Sequence, residues 1–550
     1  MPTHEVFNQA PPYGGDNLFT TDPGLLAAVQ RWGGSSLPSL EGLGNLAGSD
    51  LAQGWGREAD ANPPGLRTHD SRGARIDEVA YHRAYDELMA TALGHGLTAE
   101  PWTLPRGSGA HVIRAAGFFV WSQVEAGHLC PVSMTYAAAP ALANSPEAEA
   151  AWLPKLASRA YDPGLRPIAG KAGALVGMGM TEKQGGSDVR SNTTVAQPDP
   201  SGPLGRSSHR LRGHKWFCSA PMSDGFLVLA QAPEGLTCFL LPRVLPDGER
   251  NPFAIQRLKD KLGNRANASS EVEFDDTWAT PIGDLGRGIP TILEMVSATR
   301  LDCVIGSAAT MRAALARATH HCAHRSAFAT MLIDAPLMRN VLADLTLESE
   351  AATLLAMRLA HAIDAGEQDF ARLAVALGKF WVCKRATPMV AEALECLGGL
   401  GYVEENGMAR LLREAPLNSI WEGSGNVNAL DVLRAIAREP ASLGALTAEV
   451  ALARGADPRL DAAIDRVGAV ATLAADPAEA VGARRVVEDL CLTLQASLMV
   501  RYAEAPVADA FLASRIAGER GATFGTLTPS VVRSAAPALL ARTPAGMNLN

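Results

Sequence analysis

GGLGYVEENGMARLLREAPLNSIWEGSGN (398–426) sets one carboxylate, Glu422, between an indole, Trp421, and a glycine-rich bend. The run before it, GKFWVCKRATPMVAEALECLGG (378–399), has the spacing of a largely buried helix. A charged arm with Arg410, Arg413 and Glu414 separates the two. One reading makes the bend a helix end, with Gly423 and Gly425 as caps and Glu422 turned to water. In the other, the glycines let backbone N–H groups approach a ligand. Trp421 then favours the protonated acid, which suits a general base for carbon acids. On this segment alone the cap is the simpler reading.

Working outward, the helical period holds from Gly288 to Glu439 in long segments that suit a four-helix bundle. Between about Leu175 and Asp284 it gives way to short runs such as ALVGMGM, GFLVLAQA and LTCFLLPR, separated by turn residues. These read as meandering strands. Before them, EVAYHRAYDELMATAL and HVIRAAGFFVWSQVEAG are helical, and after Glu439 an Ala-rich helical stretch runs on. The expected order is an N-terminal arm (1–70) with one helix near Leu25–Trp32, then a helical domain (71–174). An antiparallel, β-barrel-like domain (175–286), a helical bundle (287–440) and a helical extension (441–550) follow. The fold class is α+β.

A chain of 550 residues exceeds one hydrophobic core. A net charge of −9 gives the whole molecule no bulk attraction for nucleic acid. Eight scattered cysteines without a CxxC pair read as buried thiols. The opening MPTHEVFNQAPPYGGDN carries no basic region followed by an apolar core, and no uninterrupted apolar run of about 18 residues occurs. A cytoplasmic protein with no membrane partner is expected.

Several common motifs fail on their chemistry. GLRPIAGKA (164–172) has five residues between its glycines and no Ser or Thr for magnesium. Gly399-Leu400-Gly401 lacks the third glycine of a dinucleotide fingerprint. Glu125 and His128 supply one E-x-x-H where a di-iron bundle needs two. His320, His321, Cys322 and His324 put only His320 and His324 on one helix face, so no metal is expected.

Two β-domain segments carry more. MGMTEKQGGSD (178–188) ends a strand in a loop whose hydroxyls and backbone N–H groups suit a ring edge and a pyrophosphate. HKWFCS (214–219) places a large aromatic where it can wall a planar cofactor. With RLKDKLGNRANASSEVEFDD (257–276), HRSAF (324–328) and the 398–426 ending, their order and spacing resemble the acyl-CoA dehydrogenase family over roughly residues 75–435. The resemblance implies bound FAD. Thr181 would meet the flavin edge and Gly186-Ser187 the phosphates, while Trp216, Phe217 and Ser219 flank the isoalloxazine. Met178, Met180, Gln184 and Cys218 are assigned to the cofactor as well. Ile420, Trp421, Gly423, Ser424 and Asn426 would cover the other face and reach the adenosine diphosphate. Arg325, Phe328, Gly398 and Gly399 are assigned to the cofactor too, Arg325 and Phe328 to that of a neighbouring subunit, in a homotetramer built as a dimer of dimers. Glu422 matches the catalytic base that removes the α-proton of an acyl-CoA.

Five positions depart from the family pattern: Cys218 for Thr, Glu395 for Gln, Ala329 for Gly, and Lys183-Gln184 for Pro-Gly. None removes the base. The VFNQAPP start, MTEKQGGSD, KWFCSAP, NSIWEGSGN and the helical tail resemble a branch of flavoproteins of the DNA-alkylation response that also bind double-stranded DNA. The tail itself holds ten Arg and no Lys against eleven acidic residues. A phosphate-binding face would have to come from clustering of Arg484, Arg485, Arg515 and Arg520 on folding.

Overall fold

The computed structural model describes residues 3–34, 37–474 and 477–547. They form two compact units, each assembled from separated segments of the chain: 51–105 with 124–299, and 1–50 with 106–123 and 300–550.

The first unit holds the strands. β1 (Gly65–His69) and β2 (Arg75–Ala80) make a small antiparallel ribbon. β3 (Val176–Gly179), β4 (Val195–Pro198), β5 (His209–Ser219), β6 (Gly225–Ala232), β7 (Gly235–Pro242), β8 (Ala254–Leu258) and β9 (Ser269–Ile282) form a seven-stranded sheet. Its order is β3-β6-β4-β5-β9-β7, with β8 paired to β9 off this path, and a further β6–β7 pairing brings the sheet back on itself. β6 and β7 are apolar on both faces because both are covered. Phe226, Phe239, Phe253 and Phe274 fill the interior. Most pairings are antiparallel, as expected, but β6 lies parallel to both β3 and β4. That register carries the chain out of β3 directly into the MTEKQGGSD loop.

The second unit is helical. Most of the helix Gly288–His324, together with Pro336–Asp364, Gln368–Glu395 and Gly425–Arg438, makes the bundle, and Pro440–Ala451, Pro458–Ala474, Ala483–Tyr502 and Pro529–Ala541 extend it. Buried charges tie the extension on: Arg515 pairs with Asp344 (2.5 Å) and Glu348 (3.0 Å), and Arg358 with Glu449 (2.7 Å). The helix–sheet–helix order read from the sequence is the order observed. All eight cysteines are buried free thiols. Among the described residues no helix is long and apolar enough to cross a membrane.

The N-terminal segment departs from the arm expected. Beside Pro23–Trp32 it contains the helices Leu37–Gly48 and Asp50–Ala61. LPSLEGLGNLAG reads as a loop because glycine disfavours a helix interior. Here the glycines are contact surfaces. A Cβ on Gly48 would lie 1.7 Å from the Asp16 carbonyl oxygen, and one on Gly44 would lie 2.1 Å from Asn17 Oδ1. Packing of Leu40, Leu43 and Ala47 overrides the propensity. Likewise the helical spacing that starts near Asp77 overlaps the end of the strand Arg75–Ala80, and the helix begins only at Arg83, where His82 Nδ1 accepts from the Ala84 N–H (3.2 Å).

Gly48→Ala should therefore destabilise the protein by about 1–3 kcal/mol, because a backbone oxygen must give way. Gly42→Ala, whose Cβ meets nothing within 4 Å, should be neutral or slightly stabilising. Thermal denaturation of the two variants distinguishes them.

Candidate active site

On the β-domain, the MTEKQGGSD loop is held by a buried acid. Glu182 accepts from Lys215 Nζ (2.8 Å), Thr194 Oγ1 (2.6 Å), Thr193 Oγ1 (2.9 Å) and the Thr193 N–H (2.7 Å). Burial pushes its carboxyl up, but the Lys215 ammonium and these hydrogen bonds outweigh that and hold it well below the usual range. Lys215, equally buried, also donates to the Leu229 carbonyl (2.8 Å). The Trp216 N–H donates to the Thr181 carbonyl (2.8 Å), clamping the loop to β5. Gly186 folds back on Thr181 so closely that a Cβ there would lie 2.3 Å from the Thr181 hydroxyl.

β5 carries a bulge against β9 between Lys215 and Cys218. A bulge re-aims side chains, and here it leaves Trp216 half-buried and Phe217 half-exposed. Lys259 Nζ lies 3.4 Å from the Trp216 ring centroid, with Lys183 and Arg257 within 6 Å. Lys259 and Arg257 share Glu271, at 2.6 and 2.7 Å. Ser219 Oγ lies 3.3 Å from Ser269 Oγ.

In the helical unit, Glu422 has φ +57°, a left-handed backbone that a non-glycine residue adopts at a cost of order 1 kcal/mol or more. Three side chains fix it there. Arg300 Nε donates to the Glu422 carbonyl (3.0 Å), while Lys379 Nζ (3.0 Å) and Asn428 Nδ2 donate to that of Gly423. Arg300 is itself anchored on Asp431 (2.7 Å). Glu422 is half-buried, and Trp421 is pinned by its indole N–H to Asn418 Oδ1 (3.0 Å). Gly425 opens the next helix with Lys384 pressed against it. Ile420, Ser424 and Asn426 are exposed, and Gly398 and Gly399 are open ledges where a Cβ would meet nothing. Phe328 and Ala329, at φ +52° and +58°, form a two-residue turn that holds the Phe328 ring entirely in solvent. Asn8 grips that turn through Ser326 (2.8 Å), and Arg325 donates to the Asn8 carbonyl (2.8 Å).

Three comparisons with known proteins bear on this arrangement. Residues 8–163 match the family described as the adaptive response protein AidB N-terminal domain, and 177–277 and 286–437 match the middle and C-terminal domains of acyl-CoA dehydrogenase. AidB of Escherichia coli K12, a candidate acyl-CoA dehydrogenase, is 45% identical over 515 residues, covering 92% of this chain and 94% of its own. The chain belongs to the AidB branch of the acyl-CoA dehydrogenase family. Among solved structures, Caenorhabditis elegans ACDH-11 in complex with C11-CoA superposes with a TM-score of 0.83 at 25% identity, over 99% of this chain and 94% of its own. An acyl-CoA dehydrogenase from Bacillus anthracis complexed with FAD shares the fold at a TM-score of 0.64 and 17% identity, over 83% of each chain.

FAD is the cofactor of this family, and the residues present fit it. The Gly186–Thr181 contact leaves no room for a side chain at Gly186. Trp216 offers an aromatic wall amid cations, and the open backbone at Gly398 and Gly399 admits close approach.

Three of the assigned residues have side chains that are buried or engaged within the β-domain. Cys218 is fully buried in the β-domain core, with burial pushing its thiol up to about 12, and its carbonyl accepts from Ser270 Oγ (2.8 Å). The bulge turns it inward, so the Cys-for-Thr departure is a packing change. Met178 is also buried. The Gln184 amide is spent inside the loop on Glu182 (2.8 Å) and the Ser191 carbonyl (3.2 Å), so it shapes the loop. The charged arm is a short helix, Met408–Glu414, in which Arg410 and Glu414 are buried. Glu125 and His128 pair within the core (2.9 Å). Among the described residues no group of three His, Cys, Asp or Glu is placed to hold a metal. Sequence reasoning missed Lys215 and Glu182; an acid in the motif and a lysine on β5, beyond the intervening β4, were the only signals.

Lys215→Met strands Glu182 as a buried unpaired charge and should cost about 3–5 kcal/mol. FAD content should fall with it, and the double variant Lys215→Met/Glu182→Gln should recover much of both. Melting temperature and flavin absorbance per subunit measure the two effects.

Proposed function

We propose that this protein is an FAD-dependent oxidoreductase that oxidises the Cα–Cβ bond of an acyl-CoA thioester, with Glu422 as the general base. The observation that carries this reading is the fixed left-handed backbone at Glu422. An ordinary helix cap there would use glycine, whereas this chain holds a carboxylate in that conformation with three donors. When bound, FAD supplies the acceptor for the hydride leaving Cβ. Glu422, as the carboxylate, removes the α-proton, and the rigid Glu422–Gly423 peptide sets where that carboxylate can reach. The complex of ACDH-11 with C11-CoA supports a thioester ligand. The solvent-held ring of Phe328, next to Arg325, supports a homotetramer built as a dimer of dimers, in which these residues reach a neighbour's cofactor.

A second reading is favoured by the match of residues 8–163 to the adaptive response domain. In it the protein serves the response to DNA alkylation, binds duplex DNA, and uses its flavin structurally or to destroy alkylating agents. The helical extension offers little charge for this. Arg515 is buried on Asp344 and Glu348, and Arg454, Arg459, Arg501 and Arg542 are paired with carboxylates. Arg484 and Arg485 are exposed.

Anaerobic titration with a panel of acyl thioesters should bleach the flavin of the wild-type protein. Glu422→Gln should slow that bleaching about 10²–10⁴-fold with FAD retained; unchanged bleaching would remove Glu422 from the chemistry. Under the second reading, duplex affinity should fall steeply with salt and weaken in Arg484→Glu/Arg485→Glu. Unaltered affinity would rule out a site on the extension.

A further inference from the structure

The sheet-bearing unit contains a cavity of about 220 Å³ that the dehydrogenase reading does not use. Ala174 and Leu175, where the chain enters β3, form part of its wall, whereas Thr181 follows the opposite end of that strand. Three tyrosines line it. Tyr81 and Tyr85 stack at 4.2 Å and 16°, and the Tyr161 hydroxyl donates to Asp86 Oδ1 (2.9 Å).

The charges around the cavity do not balance. Lys171, buried, is used up on Asp224 (2.9 Å), the Gly164 carbonyl (2.9 Å) and the Asp162 carbonyl. Asp162 has its own cation in Arg166 (2.6 Å). Asp86 is left over. It is half-buried, and burial raises its carboxyl more than the Tyr161 bond lowers it, with Glu87 adding to the rise. Among the described residues no cation pairs with it. The Ser223 hydroxyl, 1% exposed, also lines the cavity and has no hydrogen-bond partner. A half-buried carboxylate without a counter-charge is costly, and tyrosine faces attract a cation within about 6 Å.

We propose that this cavity binds a small organic cation, an alkylated or quaternary ammonium group set against the tyrosine rings with Asp86 as its counter-charge. Met222 and Leu93 receive the apolar part of the molecule, and the Ser223 hydroxyl is free to bond a polar substituent. Anions are disfavoured, since Lys171 has no charge to spare. The assignment does not depend on Glu422 or on the dehydrogenase reading.

Isothermal titration of the FAD-loaded protein with benzyltrimethylammonium, with choline, and with choline's neutral isostere 3,3-dimethylbutan-1-ol tests it. Both cations should saturate, and the neutral isostere should bind at least tenfold more weakly than choline. Asp86→Asn and Tyr161→Leu should each lose at least tenfold in affinity with flavin content and melting temperature unchanged. The proposal is overturned if neither cation saturates, if the isostere binds as well as choline, or if Asp86→Asn binds benzyltrimethylammonium like the wild type. Should a variant fail to fold, the comparison of choline with its isostere on the wild-type protein decides alone.

Discussion

The peptide between Glu422 and Gly423 is where the helical unit converges. Arg300 comes from the helix Gly288–His324, Lys379 from Gln368–Glu395 and Asn428 from Gly425–Arg438, and all three donate to its two flanking carbonyls. A left-handed glutamate persists only where its surroundings over-determine it. The bundle is therefore the scaffold that keeps one carboxylate in a conformation its own backbone would leave. Asp431 extends the arrangement by holding Arg300 (2.7 Å) and Arg372 (3.1 Å). The two guanidinium groups keep its own carboxyl low against the effect of burial. Loosening any of these donors should loosen the base before it loosens the fold.

The β-domain meets a parallel need by a different device. On the proposed reading its loop stays open to the cofactor and is not packed from outside. Glu182 reaches inward instead, and Lys215 on β5 neutralises it beneath the loop. Buried pairs of this kind add little net stability compared with apolar packing, but removing one partner is expensive. The pair thus buys geometry for Thr181 and Gly186 more than it buys stability.

Much of this was legible in the sequence because it is periodic or local. The switch from helical to strand spacing near Leu175 gave the order of elements, and the motifs around Thr181, Trp216 and Glu422 gave the family. What escaped depended on contacts distant in the chain. Glu182 and Lys215 are separated by a turn, a short strand and a loop. Strict alternation along HKWFCS puts Trp216 and Cys218 on one face, but the bulge shifts the phase and sends Cys218 into the core. The helix Leu37–Gly48 was hidden because its glycines answer to neighbouring backbone rather than to helix propensity. Arg515 looked like a surface cation, since nothing local announces Asp344 and Glu348 as its partners.

Proton removal from a carbon acid by Glu422 is the central act of the proposed function. The most direct measurement is exchange at that carbon: an acyl thioester incubated with the FAD-loaded protein in D₂O, followed by NMR. Deuterium should enter the α position with the wild-type protein and fail to enter with Glu422→Gln. Exchange at the wild-type rate in a Glu422→Gln protein that retains its flavin would contradict the account.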